Sequence, residues 1–200
     1  VRYNIREEKS LRELMLYLLS NSGSLFSLNK LKNLLGLGSV NTVKSYIGYL
    51  ENSFLFYVIN LYSPSLKIQM FAPQKVYCQD NAFIKLLAFQ FSRNEGRFLE
   101  NLVCQELKRQ GKEIYYYKTQ KNKEVDFLVK DNLKSLELIQ VAWSLSDSVT
   151  LDRETSALFE SMEELNLRKG IILTNDESGE WRNGSKVIKA MPVYQWLLIK

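Results

Sequence analysis

Apolar residues recur at helical spacing in three short segments near the beginning of the chain. Each segment begins at or directly after a serine, and the three are residues 10–20, 28–35 and 40–52, with Ser10, Ser27 and Ser39. Serine is a favoured helix N-cap because its hydroxyl accepts a hydrogen bond from an early backbone N–H. The pattern therefore predicts three helices, and Val43, Ile47 and Leu50 form the buried stripe of the third.

Strand-like sequence follows these helices. Residues 54–62 and 68–72 are rich in aromatic and aliphatic side chains, and Ser63-Pro64-Ser65 between them is typical of a turn. Three helices followed by such a hairpin indicate a winged helix-turn-helix. We assign this predicted domain to residues 1–74.

The rest of the chain alternates strands and helices. The predicted strands are residues 75–79, 114–118, 124–130, 135–142, 170–174 and 186–190. The predicted helices are residues 82–91, 95–110 with Gly111 as C-cap, 152–165, and a terminal helix opened by Pro192, while 176–184 is predicted as a loop. Residues 75–200 are therefore predicted to form an α/β domain, a mixed sheet flanked by helices.

The composition is that of an ordinary globular protein. The chain has 200 residues, 46% of them hydrophobic and 24% charged, without an apolar run of the roughly 20 residues that a membrane span needs. Since it has no signal-peptide pattern, we expect a cytoplasmic location and no membrane partner. The absence of histidine excludes Ser-His-Asp catalysis, and the isolated Cys78 and Cys104 are predicted to be buried core residues.

Positive charge is concentrated in the first part of the chain. The net charge is +5, and residues 1–79 hold nine basic and four acidic side chains, so they carry all of it. A basic module is compatible with contacts to phosphate, and the third predicted helix would place Asn41, Lys44 and Ser45 in a DNA major groove. The alternative is a winged helix used as a spacer or a protein-docking module, with Lys44 merely solvated.

Acidic and amide side chains in the second half have the order and spacing of a metal-dependent nuclease core. Glu100 lies on a predicted helix. Glu124 and Asp126 share one face of a predicted strand, because residues i and i+2 point the same way, and Gln140 lies on the next strand. Carboxylate and amide oxygens are suitable ligands for Mg²⁺. We therefore predict catalytic positions at Glu100, Asp126 and Gln140, and a metal site at Glu124 and Asp126.

Ala142 stands where such a nuclease needs a lysine to orient or activate the attacking water. Three lysines could substitute from neighbouring positions, namely Lys123, Lys130 and Lys134. The alternative is that Glu124 and Asp126 are ordinary polar residues on a solvated strand face, since short motifs often match by chance.

Two other patterns favour a structural interpretation. Tyr115, Tyr116 and Tyr117 could stack on a nucleic-acid base, but such a run more often forms a half-buried strand. Residues 179–186 contain glycines, a serine and a lysine, but the lysine and serine are in the wrong order for a phosphate-binding loop. The sequence therefore predicts no nucleotide site in this chain.

Many short stretches along the chain match one known pattern. Those of the first half are residues 30–50, 62–65 and 75–77, with Asp80. Those of the second half are residues 96–101, 124–127 and 139–141, Thr150, Arg153-Glu154, Ala157-Leu158 and residues 192–198. Because they run in the right order over nearly the whole chain, they are more specific than any single motif. Together they resemble a large family of bacterial and archaeal AAA-type ATPases, in the C-terminal region classed as a domain of unknown function.

The resemblance implies a winged helix and a restriction-endonuclease-like domain, preceded in the family by an ATPase domain that this sequence lacks. It maps the nuclease pattern onto Glu100, Asp126 and Gln140, and the usual final Glu-x-Lys reads Gln140-Val-Ala142 here. Cleavage activity is therefore not carried over, and ATP would bind only in the N-terminal ATPase domain.

We thus predict a fragment of an AAA-type ATPase that binds DNA, a partner protein or its own ATPase domain. Its nuclease-like domain is expected to be degenerate and inactive. The first alternative is an active Mg²⁺-dependent DNA nuclease, and the second is a protein-interaction or oligomerisation scaffold. We expect no cofactor in the fragment itself, and Mg²⁺ only if the nuclease site is active.

Overall fold

A computed structural model describes residues 7–88, 95–131 and 135–199 of the chain. Its helices are α1 (Glu8–Ser20), α2 (Leu28–Leu34), α3 (Val40–Asn52), α4 (Leu66–Phe71), α5 (Asn81–Leu87), α6 (Glu95–Arg109), α7 (Ser148–Glu164) and α8 (Val193–Leu198). Its strands are β1 (Leu25–Phe26), β2 (Phe56–Ile59), β3 (Gln74–Cys78), β4 (Glu113–Lys118), β5 (Glu124–Asp131), β6 (Ser135–Val141), β7 (Lys169–Thr174), β8 (Gly179–Asn183) and β9 (Lys186–Pro192).

The chain folds into two compact units, and each interleaves separate segments of sequence. One unit combines residues 1–59 with 71–94, and the other combines residues 60–70 with 95–200. The connection between β2 and β3 therefore leaves the first unit after Ile59 and returns to it at Phe71. The predicted division after residue 74 stays a prediction about domain organisation.

The first unit has the element order of a winged helix. Helices α1, α2 and α3 precede a three-stranded antiparallel sheet with the order β1-β3-β2, in which β3 is the central strand. The helices bury apolar stripes, and on α3 the buried side chains are Val43, Tyr46, Ile47 and Leu50. The predicted stripe is thus confirmed, with a tyrosine added to it.

Two of the three predicted serine caps are confirmed. Ser27 Oγ accepts from the Lys30 N–H at 3.3 Å, and Ser39 Oγ accepts from the Asn41 N–H at 3.1 Å. The predicted cap at Ser10 is wrong, since α1 begins two residues earlier and Ser10 lies inside it. The end of the predicted helix 82–91 falls partly on residues 89–91, which lie outside the described residues.

The predicted strand at residues 68–72 is wrong. This segment forms the short helix α4, because Ser65 Oγ accepts from the Ile68 N–H at 3.4 Å and so favours a helical turn over an extended chain. The wing hairpin pairs β2 with β3 instead. Local hydrogen bonding here outweighs the strand preference of the apolar residues.

The second unit is built on a six-stranded mixed sheet with the order β4-β5-β6-β7-β9-β8. Strands β4, β5 and β6 are antiparallel neighbours, whereas β6 and β7 are parallel and are joined through α7. This arrangement confirms the predicted mixed α/β class. The predicted loop 176–184 is wrong in part, because it contains β8. This strand pairs with β9 through a two-residue turn at Gly184-Ser185, in which Gly184 has a positive φ.

Helix α7 covers one face of this sheet. It begins at Ser148, four residues earlier than predicted, because Asp147 Oδ2 accepts from the Thr150 N–H at 2.9 Å and caps it. Its Ala157, Leu158 and Met162 are buried in an apolar core with strand residues such as Leu128. This packing fixes the position of α7 over β5 and β6.

The tyrosine run on β4 is a half-buried strand, as the favoured interpretation predicted. Tyr116 is buried, while the Tyr115 and Tyr117 rings lie 5.7 and 6.3 Å from the ring of Tyr62. Tyr62 also donates its backbone N–H to Tyr116 O at 2.8 Å, so residues 60–62 cover the edge of β4. The rings of Tyr115 and Tyr117 therefore contact the Tyr62 ring within the second unit.

The fold also bears on the two cysteines and on membrane-spanning helices. Cys78 and Cys104 are buried free thiols, which confirms their predicted core role, and burial raises the pKa of the Cys78 thiol. Within the part of the chain that the structure describes, no helix combines the length and apolarity needed to cross a membrane.

Candidate functional site

A cavity of about 630 Å³ opens in the second unit where α6, β5, β6 and α7 meet. All four predicted site residues line it: Glu100 from α6, Glu124 and Asp126 from β5, and Gln140 from β6. Its wall also contains Arg153 and Glu154 from α7. The structure thus brings together the residues that the sequence singled out, and it adds two that were not assigned a role.

The strands β5 and β6 are joined differently at this cavity than along the rest of their length. The regular ladder between them ends at the pair Phe127 and Ile139. Beyond it, Gln140 Oε1 accepts from the Asp126 N–H at 3.1 Å, and Asp126 Oδ2 accepts from the Val141 N–H at 3.0 Å. Two side chains therefore replace the backbone pairs at this end of the hairpin and satisfy buried N–H groups.

Glu154 completes this hydrogen-bond network from α7. Gln140 Nε2 donates to Glu154 Oε2 at 2.6 Å, while Arg153 Nη2 and Nε donate to Glu154 Oε1 at 2.5 and 3.0 Å. The orientation of the Gln140 amide follows from its neighbours, because its oxygen meets a donor and its nitrogen meets an acceptor. Asp126, Gln140, Arg153 and Glu154 thus form one network, called here the polar clasp.

The spacing of Glu154 in the sequence indicates that it is buried. Glu154 shares the buried stripe of α7 with Ala157, Leu158, Ser161 and Met162, three to eight residues further on. A carboxylate in such a stripe has to find partners inside the fold, because burying a charge without them is costly. Its position next to Arg153 also matches the family resemblance of the sequence.

Burial governs the ionisation of Glu154. Loss of hydration raises the pKa of this carboxyl above its ordinary value of 4.5, and the nearby Asp126 carboxylate acts in the same direction, while bonds from Arg153 and Gln140 oppose the rise. The bond to Glu154 in turn raises the pKa of the Arg153 guanidinium. The bonds from Arg153 and Gln140 thus act against the effect of burial on this carboxyl.

The lysines proposed as substitutes for the missing catalytic lysine are engaged elsewhere. Lys123 lines the cavity, but its Nζ lies 3.3 Å from Glu160 Oε2 on α7. Lys130 pairs with Glu113 on β4 at 3.2 Å, and Lys134 lies outside the described residues. Glu124 lies 3.7 Å from Lys118 Nζ.

Ala142 does not face the cavity with its neighbours. It is 6% exposed and belongs to the apolar core with Leu145, Ala157 and Leu158. Its N–H donates to Leu173 O at 3.0 Å, which continues the parallel pairing between β6 and β7. A side chain at this position therefore enters the core under α7.

Several oxygens of the clasp that are suitable ligands for Mg²⁺ are engaged in hydrogen bonds. Asp126 Oδ2, Gln140 Oε1 and both oxygens of Glu154 are acceptors. Among the described residues, no group of three or more acidic or cysteine side chains is placed to hold a metal ion. These four oxygens would have to exchange hydrogen bonds for metal bonds in a metal-assisted reaction.

We predict that Glu154→Gln removes a pH dependence from the stability of the second unit. Because the folded state raises the pKa of Glu154, the free energy of unfolding should fall as pH rises from 4.5 through the folded-state pKa. The neutral glutamine does not titrate, so this contribution to the pH dependence should disappear in the variant. Its NH2 group meets a donor, either Gln140 Nε2 or the Arg153 guanidinium, so the variant should also be less stable than wild type near pH 4. Urea unfolding at a series of pH values measures this, and a variant whose stability falls with pH as steeply as that of wild type contradicts it.

The predicted DNA-binding residues lie on the surface of α3 in the first unit. Asn41, Lys44 and Ser45 are all exposed, and Asn41 and Ser45 line a second cavity of about 460 Å³ beside the turn that precedes α3. Lys44 is the single basic residue of this helix. The structure thus leaves the predicted face open, while a contact with DNA stays a prediction.

Comparison with known proteins gives matches along most of the chain. A protein of Methanocaldococcus jannaschii, "Uncharacterized protein MJ1544", is 33% identical over 210 residues, which cover 98% of this chain and 45% of that protein. An "Uncharacterized protein" of Haemophilus influenzae is 27% identical over 203 residues, covering 98% of this chain and 48% of its own length. The chain therefore spans about half the length of these curated relatives.

A solved assembly of Thermococcus gammatolerans McrB AAA+ hexamers with bound McrC contains a chain that is 11% identical, with a TM-score of 0.35. The alignment covers 91% of this chain and 46% of the other. Two family models match, each described as a domain of unknown function: DUF8612 at residues 2–93 and DUF4143 at residues 95–196. Since the second match spans half of the sequence, including the whole polar clasp, the chain belongs to the DUF4143 family.

Proposed function

We propose that this chain is a DNA-binding module whose nuclease-like unit does not cleave. The observation that supports this most is the bonding of the Gln140 amide, which links the Asp126 N–H to Glu154. Gln140 thereby occupies the position where a metal-binding carboxylate would be expected. Ala142 in the core supports the same conclusion, because no lysine amine reaches the cavity from that position. The nuclease-like fold then serves as a scaffold.

The binding face that we propose is the exposed side of α3. The N-terminal residues of a recognition helix contact base edges, and Asn41, Lys44 and Ser45 occupy the first turns of this helix. The cavity of the second unit is a poorer phosphate site, because Glu100, Glu124, Asp126 and Glu154 give it more acidic than basic side chains. The first unit also carries the excess positive charge, because its residues 1–59 and 71–94 include ten basic and five acidic side chains in the sequence.

We predict that Lys44→Ala weakens binding to duplex DNA about 3- to 10-fold and reduces the slope of log K against log salt by about one. A lysine that contacts a phosphate releases about one condensed counterion from the DNA on binding. Losing this contact therefore lowers the affinity and makes it less dependent on salt. Fluorescence anisotropy with a labelled duplex, titrated at several salt concentrations, measures the two quantities. Lys189→Ala is the matched control, because it removes the same charge from an exposed site in the second unit.

Two outcomes would overturn the proposal. If wild type fails to bind DNA even at low salt, the module does not bind DNA. If Lys189→Ala weakens binding as much as Lys44→Ala, the contact is a general electrostatic one and α3 is not the binding face.

A second candidate function, docking of a partner protein, is favoured by α4. The part of this helix that belongs to the second unit presents three large apolar side chains to solvent: Leu66, Ile68 and Met70. Clustered exposed apolar residues are typical of protein-interaction surfaces. A scaffold for protein interaction or oligomerisation would use such a surface, and the same DNA titration separates it from the first candidate.

We further propose that the chain acts beside an ATPase module in a longer protein. Its support is the family resemblance of the sequence, together with relatives about twice as long as the matched region. ATP would then bind in that module, and the winged helix would connect the motor to DNA or to a partner.

A further inference from the structure

Arg153 of the polar clasp bonds the residue that follows it in α7, Glu154. Neighbouring residues of a helix point about 100° apart, so Arg153 and Glu154 do not face each other by default. Both Nε and Nη2 of Arg153 nevertheless bond to Glu154 Oε1. The Arg153 side chain is 70% exposed and that of Glu154 is 5% exposed, so the guanidinium lies over a buried carboxylate at the cavity.

Glu154 needs a cation at this position. Carboxylates so little exposed to water require paired charge, and the hydrogen bond to Glu154 Oε2 comes from the neutral amide of Gln140. The other charged side chains lining the cavity are Glu100, Lys123, Glu124 and Asp126, and three of these four are acidic. Of the two basic residues that line the cavity, Lys123 and Arg153, it is Arg153 that donates hydrogen bonds to Glu154.

The pairing extends beyond α7. Glu154 holds the Gln140 amide nitrogen, and the amide oxygen of the same group holds the Asp126 N–H. A guanidinium on α7 is thus connected through two side chains to the ends of β5 and β6. In carboxylate-rich sites a divalent ion commonly makes this kind of connection between elements.

We infer that Arg153 is the built-in counter-ion of the cavity and replaces a divalent cation as the group that ties α7 to the ends of β5 and β6. This inference rests on the proposed loss of cleavage. It concerns a positioning residue and not a catalytic one. Its failure is distinguishable from failure of DNA binding, because the DNA titration tests the first unit and the present experiment tests the second.

The experiment compares Arg153→Gln with Arg182→Gln in the full chain. Arg182 bonds Glu180 Oε1 through the same two atoms, at 2.8 and 2.6 Å, and its side chain is 66% exposed. The two pairs differ in the acid, since Glu180 is 38% exposed and Glu154 is 5% exposed. Glu180 also keeps Lys189 Nζ at 4.0 Å when Arg182 is replaced. A difference between the variants therefore reports a buried carboxylate that depends on one cation, and not the loss of a surface arginine as such.

Arg153→Gln is expected to lower the Tm of the second unit by about 5 °C near pH 8 and by less than about 2 °C near pH 4, where Glu154 is protonated. Arg182→Gln should change Tm by about 1 °C or less at both values, as surface pairs do. Arg153→Lys should recover part of the loss, because it restores the charge without the forked donors. Thermal unfolding followed by circular dichroism measures all three variants.

A second experiment adds a divalent ion to wild type and to Arg153→Gln. Millimolar Mn²⁺ should raise the Tm of Arg153→Gln near pH 8 and leave wild type unchanged, because a cation then replaces the missing guanidinium. A loss that is equal at both pH values, or no larger than that of Arg182→Gln, would overturn the inference. Equal stabilisation of wild type and variant by Mn²⁺ would overturn it too.

Discussion

Replacing Ala142 with lysine is expected to lower the free energy of unfolding by about 2–4 kcal/mol and to leave the chain unable to cut DNA. The position is 6% exposed and belongs to the same apolar core as Leu145, Ala157 and Leu158. A lysine there has to displace core side chains and carry its ammonium group through apolar surroundings towards the clasp. Restoring the lysine of the nuclease-like motif therefore does not restore the site in space, and Gln140 still stands in the place of the glutamate.

Ala142→Met is the matched control for this change. Methionine has a side chain of similar length without the charge, so it reports the cost of overpacking alone, about 1–3 kcal/mol. The difference between the two variants gives the cost of the buried ammonium. Urea unfolding measures stability, and incubation of supercoiled plasmid with Mg²⁺ or Mn²⁺ measures cutting. Cutting by Ala142→Lys that disappears on adding Asp126→Ala would contradict the proposal and identify a recoverable enzyme.

The pattern of apolar residues predicted most of the fold because it reports local and periodic properties. The three early helices and the alternating strands of the second half follow from side-chain spacing, and the caps at Ser27 and Ser39 follow from hydroxyl chemistry. The segment 68–72 shows the limit of this approach. Its aromatic and aliphatic content favoured a strand, and the hydrogen bond from the Ile68 N–H to Ser65 Oγ favoured a helix.

For the site, the sequence placed residues correctly but could not describe their bonding. Glu100, Asp126 and Gln140 line one cavity, as strand alternation and chain order led us to expect. Whether Gln140 directs its oxygen to a metal ion or to the Asp126 N–H depends on where the β5–β6 ladder ends, and spacing does not encode that. Glu154 enters from a helix fourteen residues away, through packing of α7 on the sheet.

Asp126→Ala is expected to lower the free energy of unfolding by about 1–3 kcal/mol, because it leaves the buried Val141 N–H without the carboxylate oxygen that accepts from it. Asp126→Asn should cost less than about 1 kcal/mol, since an amide oxygen can accept the same bond. Hydrogen exchange should show lower protection of the Val141 amide in the alanine variant and near-normal protection in the asparagine variant.

The asparagine variant separates the two roles that Asp126 could have. A metal-binding carboxylate loses its function on conversion to the neutral amide, whereas a residue that closes a strand end keeps it. Equal stability and equal Val141 protection in wild type and Asp126→Ala would show that the side chain does not close the hairpin. A large loss in Asp126→Asn would instead indicate that the negative charge itself is required, and Arg153 is then the first cation to examine as its partner.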